Sequence, residues 1–392
     1  MKTIAVAIDM EWPLRRHHDI FAGIQTFASK HHPQDWRLIP DNFPDAVLTG
    51  KLRGPQYSGV IGRLNAALQD VLTDLQVPAV NVWIRSSAHG KVPSVLSDIR
   101  SSARMAVEHF AARGIRRVAY IGIRNDLASQ IQEAAFKAEA RKRGFPCSSH
   151  KCRDSVEQNI EAWSRFCRQV DGWLARWEAP IGVFTHHDLN ARQLSTVATR
   201  AGWVIPDQLS VLGSGNNTVY CESMRPTLSS IHPGYRQVGY RAAEVLDAIM
   251  SGARPPSEPL WISPVEVAMR RSSDVFAVAD PAVAAALRFM AEHCHQCLNV
   301  DIVAAKTGVG RRTLERRFRS TLGRSINQEL NRLRVERMKR FLIETDDPIK
   351  SLVSDAGFGS AEQMRLVFRD MTGYSPGSFR EQHRERFLTL QS

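Results

Sequence analysis

Gly114-Ile115-Arg116-Arg117-Val118-Ala119-Tyr120-Ile121-Gly122 opens on a glycine that closes the helical pattern of residues 101–113. It runs through a short apolar stretch and ends on a glycine that admits close backbone approach. Helix, glycine, buried strand is the unit of an α/β fold, and the chain repeats it in both directions. Upstream, residues 4–8 are all apolar, as in a parallel strand covered on both faces, and residues 18–29 follow with helical spacing at Ile20, Ile24 and Phe27. Residues 36–39, 59–61 and 79–84 read as further strands, with a helix at 66–75 among them. Downstream come helix 130–143, strand 181–185, helix 188–201, strand 209–212 and helix 234–250. The expectation for residues 1–270 is a doubly wound, two-lobed α/β architecture.

With 392 residues, 43% apolar and 23% charged, the chain is long enough for two or three domains with real cores. Disordered, collagenous and membrane-spanning classes are disfavoured, since no run of eighteen apolar residues occurs. The apolar run at residues 4–8 is too short for a secretory signal, so a cytoplasmic protein is expected. Six cysteines are too dilute for a disulfide framework. His293-Cys294-His295-Gln296-Cys297 has the gap of a zinc half-site, but no second ligand pair matches it, and no metal is expected.

Formal charge is +12, and it is unevenly spread. Residues 281–392 hold 19 Lys+Arg against 13 Asp+Glu, and 16 of those cations are arginine. Net charge per residue there is about two and a half times that of the first 280 residues, which suits a polyanionic partner.

Open α/β sheets bind ligands at the carboxyl ends of their strands. The residues found there are Arg16 and Asp19 after the first strand, then Arg63, Trp83, Asp98, Asp188, Asn216 and Asn217. Polar and aromatic groups in that mixture suit a sugar or similar polyol. Neither a dinucleotide nor a P-loop glycine pattern follows any strand, so no nucleotide cofactor is expected. His186 and His187 are neighbours on an extended segment and point to opposite sides, which argues against a shared metal ion; packing is the favoured reading. No catalytic residue is assigned.

Residues 92–98 (Val-Pro-Ser-Val-Leu-Ser-Asp) leading through Ala106-Val-Glu-His-Phe110 to Gly114–Gly122 resemble the LacI-type sugar-sensing module. So do Gly182-Val-Phe-Thr-His-His-Asp188 and Ala201-Gly-Trp-Val-Ile-Pro-Asp-Gln-Leu-Ser-Val-Leu-Gly213. The resemblance covers residues 1–270 and implies two lobes that close on an effector about a hinge. One departure stands out. The family usually carries an acidic residue just after the strand at 211–213, where this chain has Ser214-Gly215-Asn216-Asn217.

After a linker at residues 271–280 the period becomes purely helical. Asp280 caps a helix with Pro281 at its first position. A repeat follows. Thr307-Gly308-Val309 opens a turn before a helix with Leu314, Phe318 and Leu322, ending at Gly323. Ala356-Gly357-Phe358 opens the corresponding turn before Met364, Phe368 and Met371, ending at Gly373. The turn glycines are 49 apart and the helix cores 50 apart, so the second turn is one residue longer. These are two helix-turn-helix units. On the first recognition helix Arg311, Arg312, Thr313, Arg316 and Arg319 lie away from the apolar stripe; on the second, Ser360, Ala361, Glu362, Gln363, Arg365 and Arg369 do. A solvated basic face would account for either helix alone, and its repetition in register favours DNA. Arg317, Arg324, Arg334 and Lys339 are expected on phosphates.

Arg312-Thr-Leu-Glu-Arg-Arg-Phe-Arg319, Gly357-Phe-Gly-Ser360, Val367-Phe-Arg369 and Gly373-Tyr-Ser-Pro-Gly-Ser-Phe-Arg380 resemble the AraC family of transcription regulators over residues 281–387. Gln363-Met364 departs from that family's usual aromatic pair. A LacI-type sensor ahead of an AraC-type reader implies a bacterial regulator whose binding to a double-stranded operator answers to a sugar, for instance a pentose such as xylose. A homodimer is expected, with RNA polymerase as a partner if the protein activates, and a nucleoid location when bound. A carbohydrate-active enzyme with a basic tail, and a ligand-independent DNA-binding protein, remain the alternatives.

Overall fold

The computed structural model describes residues 1–10, 15–40, 57–86, 92–152, 160–274, 280–296, 298–345 and 347–384. Residues 11–14 near the first strand end, 275–279 of the linker, Cys297 of the zinc-like motif and 385–387 of the expected reader lie outside that set. The chain forms two compact units, residues 1–110 with 116–275, and 111–115 with 276–392.

The first unit has two lobes. One is a parallel sheet of β1 (Lys2–Ala7), β2 (Trp36–Pro40), β3 (Gly59–Gly62) and β4 (Ala79–Asn81) in the order β2-β1-β3-β4. β5 (Val95–Ser97) is bridged to it at Asn81 and pairs in parallel with β11 (Leu260–Ile262). Helices α1 (Arg15–His31) and α2 (Ala66–Asp74) pack here, with α8 (Tyr235–Met250) returning from the other lobe. α1 and α8 come very close: a Cβ on Gly23 would sit 2.0 Å from the Arg236 carbonyl oxygen, and one on Gly239 would sit 1.9 Å from that of Ile20. Only glycine permits this backbone contact, which clamps α8 over the Ile4, Ile24 and Leu246 core.

The other lobe is a six-stranded sheet in the order β12-β10-β9-β8-β6-β7. It contains β6 (Val118–Ile123), β7 (Cys147–Cys152), β8 (Ile181–Thr185), β9 (Leu209–Ser214), β10 (Ser229–His232) and β12 (Glu266–Ala268), all parallel except β12. α3 (Ile99–Ala112), α4 (Leu127–Lys142), α5 (Ile160–Leu174), α6 (Asp188–Arg200) and α7 (Thr218–Glu222) accompany it. Every residue of β6, β8 and β9 is buried, and these strands are apolar apart from Thr185, Ser210 and Ser214. β7 has sequence Cys-Ser-Ser-His-Lys-Cys and sits at the edge; its half-exposed polar residues hide it from any hydrophobic pattern. The apolar stretch at 260–268 is divided between two strands: β11 joins the first lobe and β12 the second, with Pro264 between them where the chain crosses.

The second unit is helical. α9 (Pro281–His293) is capped by Asp280, whose side chain accepts from the Ala282 and Val283 N–H groups. α10 (Val300–Ala305) and α11 (Arg311–Leu322) form the first helix-turn-helix; α13 (Leu352–Asp355) and α14 (Ala361–Thr372) form the second, backed by α15 (Pro376–Arg384). The long α12 (Ile326–Glu344) starts in a Ser325–Gln328 capping box and serves both. Its Leu330 and Leu333 pack with Leu314 and Phe318, while Val335, Met338 and Leu342 pack with Met364 and Phe368.

Candidate functional site

Between the two lobes of the first unit lies a cleft open to solvent, with about 790 Å3 of space when the adjoining open solvent is counted. Arg16 and His17 enter from α1, Arg63 and Trp83 from the ends of β3 and β4, and Gln132 and His186 from the opposite lobe. The Arg63 guanidinium rests over the Trp83 ring, 4.3 Å from its centroid. Arg16 hydrogen-bonds the hydroxyl of Tyr235, whose own acidity is weakened by burial.

The cleft histidines are held neutral. His17 is 2% exposed and its Nδ1–H donates to the Asp9 carbonyl at 2.6 Å. Burial lowers its pKa to about 4 against the pull of that acceptor, with Arg16 and Arg63 adding repulsion. Burial also lowers His186 to about 4, with Asp126 opposing and Arg16 assisting, and His187 falls well below its ordinary value for the same first reason. His186 Nδ1 lies 2.7 Å from Gln132 Oε1, which also accepts from the Tyr120 hydroxyl at 3.0 Å. That acceptor favours the proton on Nδ1, and Nε2 faces the Asp126 carboxylate at 3.7 Å.

Of the eight residues expected at the ligand, Arg16, Arg63 and Trp83 line this cleft. The other five have different surroundings. Asp98 caps α3, accepting from the N–H groups of Arg100 and Ser101, both at 3.0 Å, and from the Ser101 hydroxyl. Asp188 is 3% exposed and lies beneath the cleft floor, accepting from the Ser230 hydroxyl at 2.5 Å and the Asn217 N–H at 2.7 Å. Burial raises its pKa to about 6, against those two donors. The space above Gly215 is already taken, since a Cβ there would sit 3.1 Å from Asp188 Oδ2. Asn216 accepts from Arg270 at 3.0 Å through its side chain, and Asn217 caps α7. Asp19 pairs with Arg15 at 3.4 Å within α1, and burial raises its pKa. Gln132, His186 and Tyr235 were not legible as cleft residues. Gln132 lies within α4, well past the end of β6; Tyr235 follows β10, whose Ser-Ser-Ile-His run shows no apolar pattern; and the His186–His187 pair reads equally well as packing.

In the second unit both recognition helices bury one face and expose the other. Leu314 and Phe318 of α11, and Met364 and Phe368 of α14, are fully buried. Met364 thus fills the place where the AraC resemblance leads one to expect an aromatic ring. Arg312, Arg316 and Arg319 are exposed, as are Glu362, Gln363, Arg365 and Arg369, with Thr313 and Ala361 half-buried. Ser360 caps α14 through the Gln363 N–H. Arg311 is tied down by the Asp301 carboxylate at 2.9 and 3.1 Å and by Glu315 at 3.1 Å.

Three of the four expected phosphate contacts are committed within the fold. Arg334 is 7% exposed and donates to the carbonyls of Cys294, Gln296 and Leu298, which removes it from the surface. Arg324 pairs with the fully buried Glu329, and Lys339 pairs with Glu336 at 3.0 Å. Arg317, 44% exposed, meets Asp280 at 3.5 Å. Among the described residues no cluster of three or more His, Cys, Asp or Glu could hold a metal ion, and no helix is long and apolar enough to cross a membrane.

Two family models match the chain: a periplasmic binding protein-like domain over residues 107–273 and a helix-turn-helix domain over residues 303–382. The chain is similar to the xylose operon regulatory protein of Escherichia coli strain K12, 26% identical over 332 residues, covering 82% of this chain and 83% of that one. The Haemophilus influenzae protein of the same name is 26% identical over 318 residues, covering 79% and 81%. Among solved structures, a xylose-binding transcription activator superposes with a TM-score of 0.61 at 22% identity, covering 97% of this chain and 98% of that one. That likeness extends the shared fold to the whole chain.

Proposed function

We propose that this chain, a DNA-binding transcription regulator joining a periplasmic-binding-protein-like sensor to an AraC-type helix-turn-helix domain, adjusts its hold on an operator when a sugar-class molecule occupies the cleft. The observation that carries the reading is the repeated division of α11 and α14 into a buried apolar face and an exposed face bearing Arg312, Arg316, Arg319, Arg365 and Arg369. A short helix of that kind fits a major groove, with residues near its amino-terminal end reaching base edges and arginines suited to guanine. Two units on one chain would span grooves about one turn, ~10 bp, apart. In the cleft, Arg16, Arg63, Trp83, Gln132 and His186 supply donors, an acceptor and an aromatic face for a polyhydroxylated ligand.

The names of the relatives support a pentose-related effector. The protein acts in the cytoplasm, where its DNA is, as a homodimer on repeated half-sites, and contacts RNA polymerase where it activates. Its role is regulation rather than catalysis.

Selection of genomic fragments by the purified full chain, with and without candidate effectors, tests the reading. The expected product is a two-part motif with elements about 10 bp apart, displaced or strengthened by one effector. Arg316→Ala with Arg369→Ala should abolish enrichment of the motif while leaving the fold intact. Enrichment without a motif would overturn it.

A further inference from the structure

α11 and α14 match position for position at an offset of fifty residues. Leu314 and Phe318 are buried where Met364 and Phe368 are, and Arg312, Arg316 and Arg319 are exposed where Glu362, Leu366 and Arg369 are. Those three exposed positions share one stripe of the helix at i, i+4 and i+7, and only the last of them keeps its arginine in α14. At the first a cation becomes a carboxylate. At the middle one a guanidinium becomes the side chain of Leu366, which is 57% exposed. Its neighbours one turn away, Glu362, Gln363, Arg369 and Asp370, are all polar and exposed. On this helix Leu366 therefore stands alone and extends no apolar patch of the size that marks a protein interface.

We infer that Leu366 is a specificity-determining residue that packs on the methyl group of a thymine, so that the two recognition helices read unlike bases. The inference rests on the operator-binding reading above and names the base chemistry at the second helix. Thymine alone presents a methyl group on the floor of the major groove, and apolar side chains recognise it. Guanine presents two acceptors there, which suit Arg312 and Arg316 of α11 and are repelled by the Glu362 carboxylate, one turn before Leu366. A carboxylate at position 362 accepts instead from the amino group of cytosine or adenine. The operator is accordingly asymmetric: its element under α11 carries guanine, and its element under α14 carries thymine opposite Leu366 and excludes guanine opposite Glu362.

Selection from a randomised DNA duplex pool by the full chain, followed by fluorescence anisotropy on the duplex recovered, tests this. The chain should recover two unlike elements, and Leu366→Arg should exchange thymine for guanine at one position of the second while leaving the first unchanged. Replacing that thymine by deoxyuridine removes only the methyl group and should weaken the complex about three- to fivefold. Leu366→Ala should weaken the thymine duplex by a similar factor and bind the deoxyuridine duplex as the unaltered chain does. Leu366 lies outside the core, so both variants should fold, which matching far-ultraviolet circular dichroism melts would verify. A second element that tolerates deoxyuridine at every thymine, keeps its base preference in Leu366→Arg, or shows the same deoxyuridine penalty in Leu366→Ala would overturn the inference and leave the regulator reading intact. Recovery of no motif at all would overturn both.

Discussion

Arg85 Nη1 and Asp126 Oδ2 meet at 3.1 Å, joining the loop after β4 in one lobe to the cap of α4 in the other beside the cleft. The pair bridges two lobes that a bound ligand also bridges, so it favours the same closed arrangement. Arg85 is 43% exposed, and a pair so placed contributes only about 0.5–1 kcal/mol. Arg85→Ala should therefore weaken effector binding two- to fivefold, with the difference shrinking at high salt. Titration at two ionic strengths checks it, and unchanged affinity at low salt would rule the latch out. Asp126→Ala is a poorer probe, since it also removes the side chain that accepts from the Ser129 N–H.

Sensor stability should fall as pH drops from 7 toward 4.5. His17 and His186 have folded pKa values of about 4 against an unfolded value near 6.5, so the unfolded chain takes up protons first and each histidine withdraws up to about 3 kcal/mol across that window. Asp188 works in the opposite sense: raised to about 6, it protonates first in the folded chain and returns stability as pH falls through 6. Two histidines outweigh one carboxyl of similar shift. All eight tryptophans lie at or before residue 261, so denaturant titration followed by tryptophan fluorescence reports the sensor alone. Equal or greater stability at pH 5 would contradict the assignment, and His17→Gln should flatten the profile.

Arg334→Met should destabilise the helical unit by about 3 kcal/mol, because it strands three carbonyls of the segment between α9 and α10. The same segment meets the second turn: a Cβ on Gly357, at φ 89°, would sit 1.9 Å from the Cys294 carbonyl oxygen. Gly308 has a similar φ of 71° with open space around it. Gly308→Ala should thus cost only the left-handed backbone penalty of about 1–2 kcal/mol, and Gly357→Ala considerably more. Thermal melts monitored by far-ultraviolet circular dichroism would reveal equal costs if the close contact does not exist.

Asp301→Asn should release Arg311 from its bidentate partner and raise non-specific DNA affinity. One added phosphate contact steepens the dependence of log K on log salt by about 0.9. Fluorescence anisotropy with a random duplex at several salt concentrations measures that slope. An unchanged slope would mean that Arg311 stays paired with Glu315 or points away from the backbone.

Much of the fold was written in local pattern. The all-apolar runs at 4–8, 118–121 and 181–184 are strands because a parallel strand covered on both faces has no polar side to show. The helix-turn-helix repeat was equally plain, since Leu314 with Phe318 and Met364 with Phe368 repeat the same i, i+4 spacing fifty residues apart. β7, short and polar at an edge, left no such trace, and neither did the division of residues 260–268 between two lobes, which depends on β11 pairing with β5 in one lobe and β12 with β10 in the other.

By itself the sequence determined the order of the two units, the strands and helices that repeat within each, and which faces of α11 and α14 carry arginine, because all of these follow from periodicities of two to four residues. Tertiary structure decided which polar side chains are available. Asp98 and Asp188 stand where a ligand contact is plausible in sequence, yet one closes a helix end and the other is drawn under Gly215 by Ser230 and Asn217. Arg334 reads as a phosphate contact and is buried against three carbonyls. A charged residue's partners lie across the fold, and a buried charge or helix end must find them wherever the chain brings them, so its role is settled only when the distant segments meet.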